Sequence, residues 1–258
     1  MRLATWNVNS IGARLPRLLP WLADVQPDVV ALQETKTATF PVEEVGQLGY
    51  EVAHNGDGRW NGVAVLSRVG LDDVQLLFAG QPGFADEGKE PVVEARAVGA
   101  TCGGLRFWSL YVPNGRSVDH PHYTYKLQWL AALREALSLE VGAGPFVVTG
   151  DFNIAPTDED VWDPADFVGS THVTPAERQA LADLQSLGLR DVPARALKGR
   201  GFTYWDYRAG MFHKDKGLRI DLVLANSSVV VRDAYVDREA RKGTGPSDHA
   251  PVVVDIDL

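Results

Sequence analysis

The chain has one cysteine and two methionines among 258 residues, and no long unbroken apolar run. A lone Cys102 cannot close an internal disulfide, and it lacks the partner thiols of a zinc site, so both kinds of covalent staple are excluded. The same scarcity fits a reducing compartment, and a cytoplasmic protein is the expectation. Apolar runs stay below the roughly 18 residues that a membrane span needs, and Met1 leads directly into an apparent strand. Neither a membrane anchor nor a secretory leader is therefore expected. Basic excess is missing too, the formal net charge being -9. Phosphate binding draws on Lys and Arg, so this balance argues mildly against nucleic acid. A cation-dependent site, however, gathers carboxylates in one place while basic groups line another, so net charge does not decide the partner. No linker, low-complexity tract or internal repeat interrupts the chain, which leads us to expect a single domain over 1–258.

What the sequence does contain is 45% apolar residues arranged in short β-branched runs bounded by Gly, Pro, Asn or Asp. This spacing predicts strands over 3–9, 29–35, 62–67, 92–98, 105–112, 146–153, 220–225, 229–236 and 252–256. Helical periodicity is confined to three places: Leu15, Leu18, Leu19 and Leu22; Leu127, Leu130, Leu133 and Leu137; and Leu181, Leu184 and Leu187, with Thr174 as a cap and Glu177 three residues on. Many strands with a few amphipathic helices between them imply two packed sheets with helices outside, an α/β sandwich.

Polar groups sit where apolar runs stop, in TWNVNS (5–10), LQETK (32–36), LYVPNG (110–115), GDFN (150–153), RIDLVL (219–224) and SDHAP (247–251). Such strand ends can converge on one rim. Glu34 closes the apolar run DVVALQE, where a carboxylate is costly unless paired or bound to a cation, and Asn7 could complete that shell or hold Glu34. Asp151 and Asn153 would share one side of an extended chain and act together on one phosphate, Asp151 as a base toward water and Asn153 as its orienting amide. An Asp-x-Asn turn with side chains bonded to backbone is the ordinary alternative. In SDHAP, His249 next to Asp248 can become a cation and stabilise a phosphodiester transition state. Tyr111 could donate to that phosphate, with Asn114 and Arg116 following in a loop able to reach a phosphate backbone.

Together these segments resemble the exonuclease III family of AP endonucleases, within the endonuclease/exonuclease/phosphatase superfamily. The likeness runs from WNVNS to SDHAPVVV. GDFN and SDHAP are shared across the superfamily, whereas LQETK, FTYWDYR (202–208) and GLRIDLVLA (217–225) narrow it to the DNA-repair branch. The resemblance implies a four-layer α/β sandwich of two mixed β-sheets flanked by helices. It implies magnesium, with manganese as a possible substitute, at Glu34 with Asn7 and Asp248 close by; Asp151, Asn153 and His249 border the same metal. Asp151 would activate water, Asn153, Tyr111 and Asn114 would hold the phosphate, and His249 would stabilise charge with Asp248 as partner and Asp221 in support. Tyr204, Trp205, Leu218 and Ile220 match an apolar pocket for an extruded sugar, core packing being the ordinary alternative. The implied substrate is double-stranded DNA with abasic sites or 3′ ends, handled by a monomer. The chemistry alone would equally serve RNA or a phosphoinositide, while a catalytically silent nucleic-acid binder would need a gap among these positions, and there is none. Segment 85–91, short and mixed in charge, is given no role.

Overall fold

The structure, a computed structural model, describes residues 1–86 and 88–258. Among them are, in chain order, β1 (Arg2–Asn7), α1 (Ile11–Val25), β2 (Val29–Gln33), α2 (Val42–Gly46), β3 (Glu51–Asn55), β4 (Val63–Ser67), β5 (Asp72–Gln75), β6 (Ala97–Cys102), β7 (Leu105–Tyr111), α3 (Pro121–Ser138), β8 (Phe146–Asp151), α4 (Pro175–Gln185), β9 (Arg190–Asp191), β10 (Arg195–Ala196), β11 (Asp221–Ala225), β12 (Val230–Val236) and β13 (Val252–Asp257). The strands form a seven-stranded sheet, β10-β12-β13-β1-β2-β4-β3, and a six-stranded sheet, β5-β6-β7-β8-β11-β9. Both are mixed: β1 and β2 run parallel in the first, as do β7 and β8 in the second, among antiparallel neighbours.

Side chains that alternate along each strand divide the interior into three apolar layers. Leu3, Val29 and Ala31 face the opposite sheet and meet Phe107, Val147 and Val223. Ala4, Trp6, Val30 and Leu32 face outward onto Leu18, Trp21 and Leu22 of α1. On the far side, Trp108, Leu110, Phe146 and Val148 carry α3 and α4 through Trp129, Leu133, Leu181 and Leu184. Helix, sheet, sheet and helix thus make four layers, as the resemblance implies. A buried polar thread crosses the middle layer, Gln33 Nε2 donating to Thr5 Oγ1 and Ser109 Oγ at 3.1 Å each, and Ser109 Oγ donating to the Leu32 carbonyl at 3.2 Å. Satisfied groups of this kind fix the register of packed layers, because any slip strands them without partners.

Helix α4 begins where its cap predicts: Thr174 Oγ1 accepts from the Glu177 backbone N–H, and Glu177 reaches back to the Thr174 backbone N–H. The strand expected at 92–98 begins instead at Ala97, because Glu94 and Arg96 turn aside into an ion pair at 2.7 Å. Phe84 and Val92 bridge each other at the two ends of segment 85–91, one residue of which lies outside the described ones. Among the described residues no helix is long and apolar enough to cross a membrane.

Candidate active site

Six strand ends meet at one rim, three from each sheet. Asn7 ends β1, Glu34 follows β2 and His249 precedes β13 on one side; Tyr111 ends β7, Asp151 ends β8 and Asp221 opens β11 on the other. The Asn7 amide ties the halves together, Nδ2 donating to Glu34 Oε1 at 2.8 Å and to Asp151 Oδ2 at 2.9 Å. A second tie is the 2.8 Å bond between His249 Nδ1 and Asp221 Oδ2, which leaves His249 Nε2 aimed at Asp151 Oδ2, 3.8 Å away. The Thr203 hydroxyl fixes the start of β11 by accepting from the Ile220 and Asp221 backbone N–H groups at 3.1 Å each.

The backbone is wound into the left-handed region at Asn9, Glu34, Lys36 and Asn153, with φ of 44°, 53°, 50° and 52°. Each such non-glycine residue costs on the order of 1 to 3 kcal/mol, which the surroundings must offset. Here the Ser10 backbone N–H donates to the Glu34 carbonyl at 2.7 Å, while Thr35 and Lys36 donate to the Gly62 and Asn61 carbonyls at 3.0 and 2.9 Å.

Electrostatics separates the groups into different protonation states. Burial is the largest influence on Asp151 and, with Asp221 and Glu34 nearby, lifts its carboxyl to about 7 against the pull of His249. Burial opposes a charge on His249, but Asp221, Asp151 and Asp248 outweigh it and raise the imidazole to about 10. Burial would also raise Glu34, yet the Lys36 ammonium at 2.7 Å and the Asn7 amide hold it below the usual carboxylate range. Tyr111, desolvated and beside Glu34, is pushed well above the ordinary phenol value and stays a donor, with Arg96 stacked 4.8 Å over its ring.

Oxygen atoms of Glu34 and Asp151 and a nitrogen of His249 lie within 4.8 Å of one another. Two carboxylates suit a hard divalent cation such as magnesium. The third group, His249, faces this pair through Nε2, and the surrounding carboxylates of Asp221, Asp151 and Asp248 favour its charged form.

Other expectations need correction. Asp151 and Asn153 do not share one side of an extended chain: β8 ends at Asp151, and Asp151 Oδ1 accepts the Asn153 backbone N–H at 2.9 Å in a tight turn. The Asn153 amide is engaged by protein at both ends, donating to the Val112 carbonyl at 3.0 Å and accepting from Asn114 at 3.2 Å. The hydrogen-bonded partner of His249 is Asp221; Asp248 instead accepts from Asn9 Nδ2 at 3.0 Å and reaches the imidazole only through its charge. Trp205 is fully enclosed between Phe202 and Phe212 in the layer between the sheets, so it cannot wall a pocket. Leu218, Ile220 and Tyr204 do stand beside the site, in a small cluster with Ala155 and Val161, Tyr204 lying 4.9 Å from the His249 ring. Leu218 and Ile220 are only 4% and 2% exposed, so that cluster is nearly sealed. Arg116 projects at the edge, paired with Asp86 at 3.4 Å.

Sequence reasoning missed a supporting set. Lys126, fully buried on α3, pairs with Glu177 of α4 at 2.5 Å and donates to the Asn153 carbonyl at 2.7 Å. His172 binds the same carbonyl through Nδ1 at 2.6 Å, and burial with the Lys126 charge lowers its pKa to about 4, leaving it neutral. A lysine at an apolar helical position was the available signal for the first; nothing in the sequence marked the second. Lys36 lies inside LQETK without having been given a role.

The chain matches the endonuclease/exonuclease/phosphatase family model over residues 4–249. It is 30% identical to exodeoxyribonuclease III of Haemophilus influenzae over 98% of both chains. Among solved structures, a 3′ phosphatase from Neisseria bound to a product DNA hairpin superposes with a TM-score of 0.92 at 37% identity, all of both chains being covered. An AP endonuclease from Archaeoglobus fulgidus gives 0.90 at 34%, again over both whole chains. With the family pattern matched across nearly its full length, the chain belongs to the endonuclease/exonuclease/phosphatase family.

Proposed function

We propose that this protein is a metal-dependent DNA phosphodiesterase of the exonuclease III type that acts on duplex 3′ ends and abasic sites. The observation that carries the reading is the opposition of Asp151 and His249: a carboxylate that titrates near 7 faces an imidazolium held by Asp221. Asp151 is suited to take a proton from the attacking water, and His249 to neutralise charge gathering on the phosphoryl oxygens. Tyr111 and Asn114 orient the phosphate as donors. Asn153 sets the turn that aims Asp151, instead of binding phosphate itself. Magnesium, or manganese in its place, would be held by Glu34 with Asn7 and Asp151 beside it, and supplies Lewis-acid neutralisation of the phosphate when bound.

Hydrolysis at 3′ termini is the reading that the geometry favours, since it needs no opening of the sealed Leu218–Ile220 cluster. Abasic-site incision is supported by that cluster's place beside His249 and by the Archaeoglobus relative. All six rim groups come from one chain, which supports action as a monomer, and the single buried cysteine is in keeping with a reducing cytoplasm. The test offers a recessed 3′ end, a 3′-phosphate end, a single abasic site and a phosphoinositide, each with magnesium and with chelator. DNA cleavage should vanish with chelator, and Asp151→Asn should lower turnover at least about a hundredfold while DNA binding survives. Turnover undiminished by either change, or preference for the phosphoinositide, would refute the reading.

A further inference from the structure

Beside the catalytic rim lies a cavity of about 770 Å³ that reaches from Tyr111 and Asn114 out to Trp60 and Phe84. Trp60 is 66% exposed, whereas Trp6, Trp108, Trp129 and Trp205 are all fully buried. An indole left in water presents a large flat apolar face that a planar partner can cover. The Arg59 guanidinium stands 5.4 Å from the Trp60 ring, and across the cavity Arg116 stands 5.4 Å from Phe84. Two arginine–aromatic pairs therefore flank one groove.

The Trp60 loop is anchored to the catalytic segment. Thr35 and Lys36, which follow Glu34, donate to the carbonyls of Gly62 and Asn61, and Asn61 Nδ2 donates to Glu94 at 3.0 Å. Gly62 is required at this join, with φ of 91° and only 2.2 Å between an added Cβ and Thr35 Oγ1. The backbone next to Trp60 is thereby tied to the segment that carries Glu34.

On the basis of the DNA-hydrolase reading, we propose that Trp60 is a stacking platform for the base of an unpaired nucleotide close to the scissile phosphate, with Arg59 contacting the backbone. A flat aromatic face and a cation side by side match the two parts of a nucleotide, and stacking tolerates any base. An indole can stack only on a base with a free face, so the platform selects frayed or terminal nucleotides over those inside a continuous duplex.

The test is fluorescence anisotropy with labelled duplexes carrying a recessed 3′ end, in chelator so that no strand is cut. Trp60→Ala should weaken binding roughly 5- to 150-fold, the range for losing one stacked base, while Trp60→Phe keeps most of the affinity. Arg59→Ala should lower the salt dependence by about one charge. In a series of duplexes lacking one base at a time around the 3′ end, one position should weaken wild type yet add nothing to Trp60→Ala. Unchanged affinity for Trp60→Ala, with melting unchanged, would overturn the platform, as would an equal added loss at every position. If wild type neither binds nor cuts DNA, the hydrolase reading fails and the platform falls with it.

Discussion

Replacing Glu177 with Gln tests how far the catalytic turn depends on the buried ion pair behind it. The Glu177 carboxylate accepts from Lys126 Nζ, from the His172 and Thr174 backbone N–H groups and from the Thr174 hydroxyl. Glutamine keeps the shape but removes the charge, leaving the Lys126 ammonium enclosed without a counter-ion. Breaking one side of a buried pair costs about 3 to 5 kcal/mol. For a chain of this size that corresponds to roughly 6 to 20 °C in melting temperature, at about 2 to 4 °C per kcal/mol. The pH dependence follows from Lys126, whose pKa burial lowers below 10.5 in spite of Glu177. Between a lowered folded value and the ordinary one, the unfolded chain binds a proton that the folded chain does not, so stability rises with pH there. Without the Glu177 charge the folded value falls further and the window widens downward. The deficit of Glu177→Gln should therefore be largest near pH 6 and shrink toward pH 9, and adding Lys126→Met should recover part of it. Thermal melts of wild type and both variants at the two pH values decide the matter. A Glu177→Gln melt within about 1 °C of wild type at pH 6, or a deficit that grows with pH, would show that this pair is not a strained buried charge.

The Asp151 carboxyl at about 7 and the His249 imidazole at about 10 predict kcat/KM that rises with pH through 7 and falls only near 10. Asp221→Asn, by removing the bonded counter-charge, should move the alkaline fall to lower pH; a profile flat between pH 6 and 8 would contradict the assignment. Trp205→Ala should cost about 3 to 5 kcal/mol of stability as a core truncation, with no change in the ratio of abasic to 3′-end cleavage once folding is restored at lower temperature. Leu218→Ala should alter that ratio with a smaller loss in melting temperature, and identical behaviour of the two variants would erase the distinction between core and site.

The fold was legible wherever burial is two-sided. β2 and β8 are buried on both faces, so VVALQ and FVVTGD announce themselves. By contrast β5 is exposed along its whole length, and β9 and β10 hold two residues each, too short for any period to appear. At the site, the residue types at strand ends pointed to the right rim, because a carboxylate or imidazole beside apolar sequence has few inexpensive places to be. What the sequence did not reveal was which partner each group takes. Asp248 is adjacent to His249 in the chain, yet Asp221 binds the imidazole, since neighbours in an extended segment point apart. Asn153 was misjudged because its left-handed turn breaks strand alternation, and Trp205 because aromatic runs look alike in a core and in a pocket.

The two ties across the rim, Asn7 to Asp151 and His249 to Asp221, each join groups on different sheets, and β13 lies between β1 and β12. The earliest strand of the chain is thus clasped by the last. A chain cut short before residue 249 lacks both the imidazole and the interior strand that joins β1 to β12, and a molecule whose halves have begun to part owns only fragments of the reactive centre. The fold acts as a safety interlock: a DNA-cutting machine built this way stays inert until its assembly is finished, and goes quiet at the first sign of coming apart.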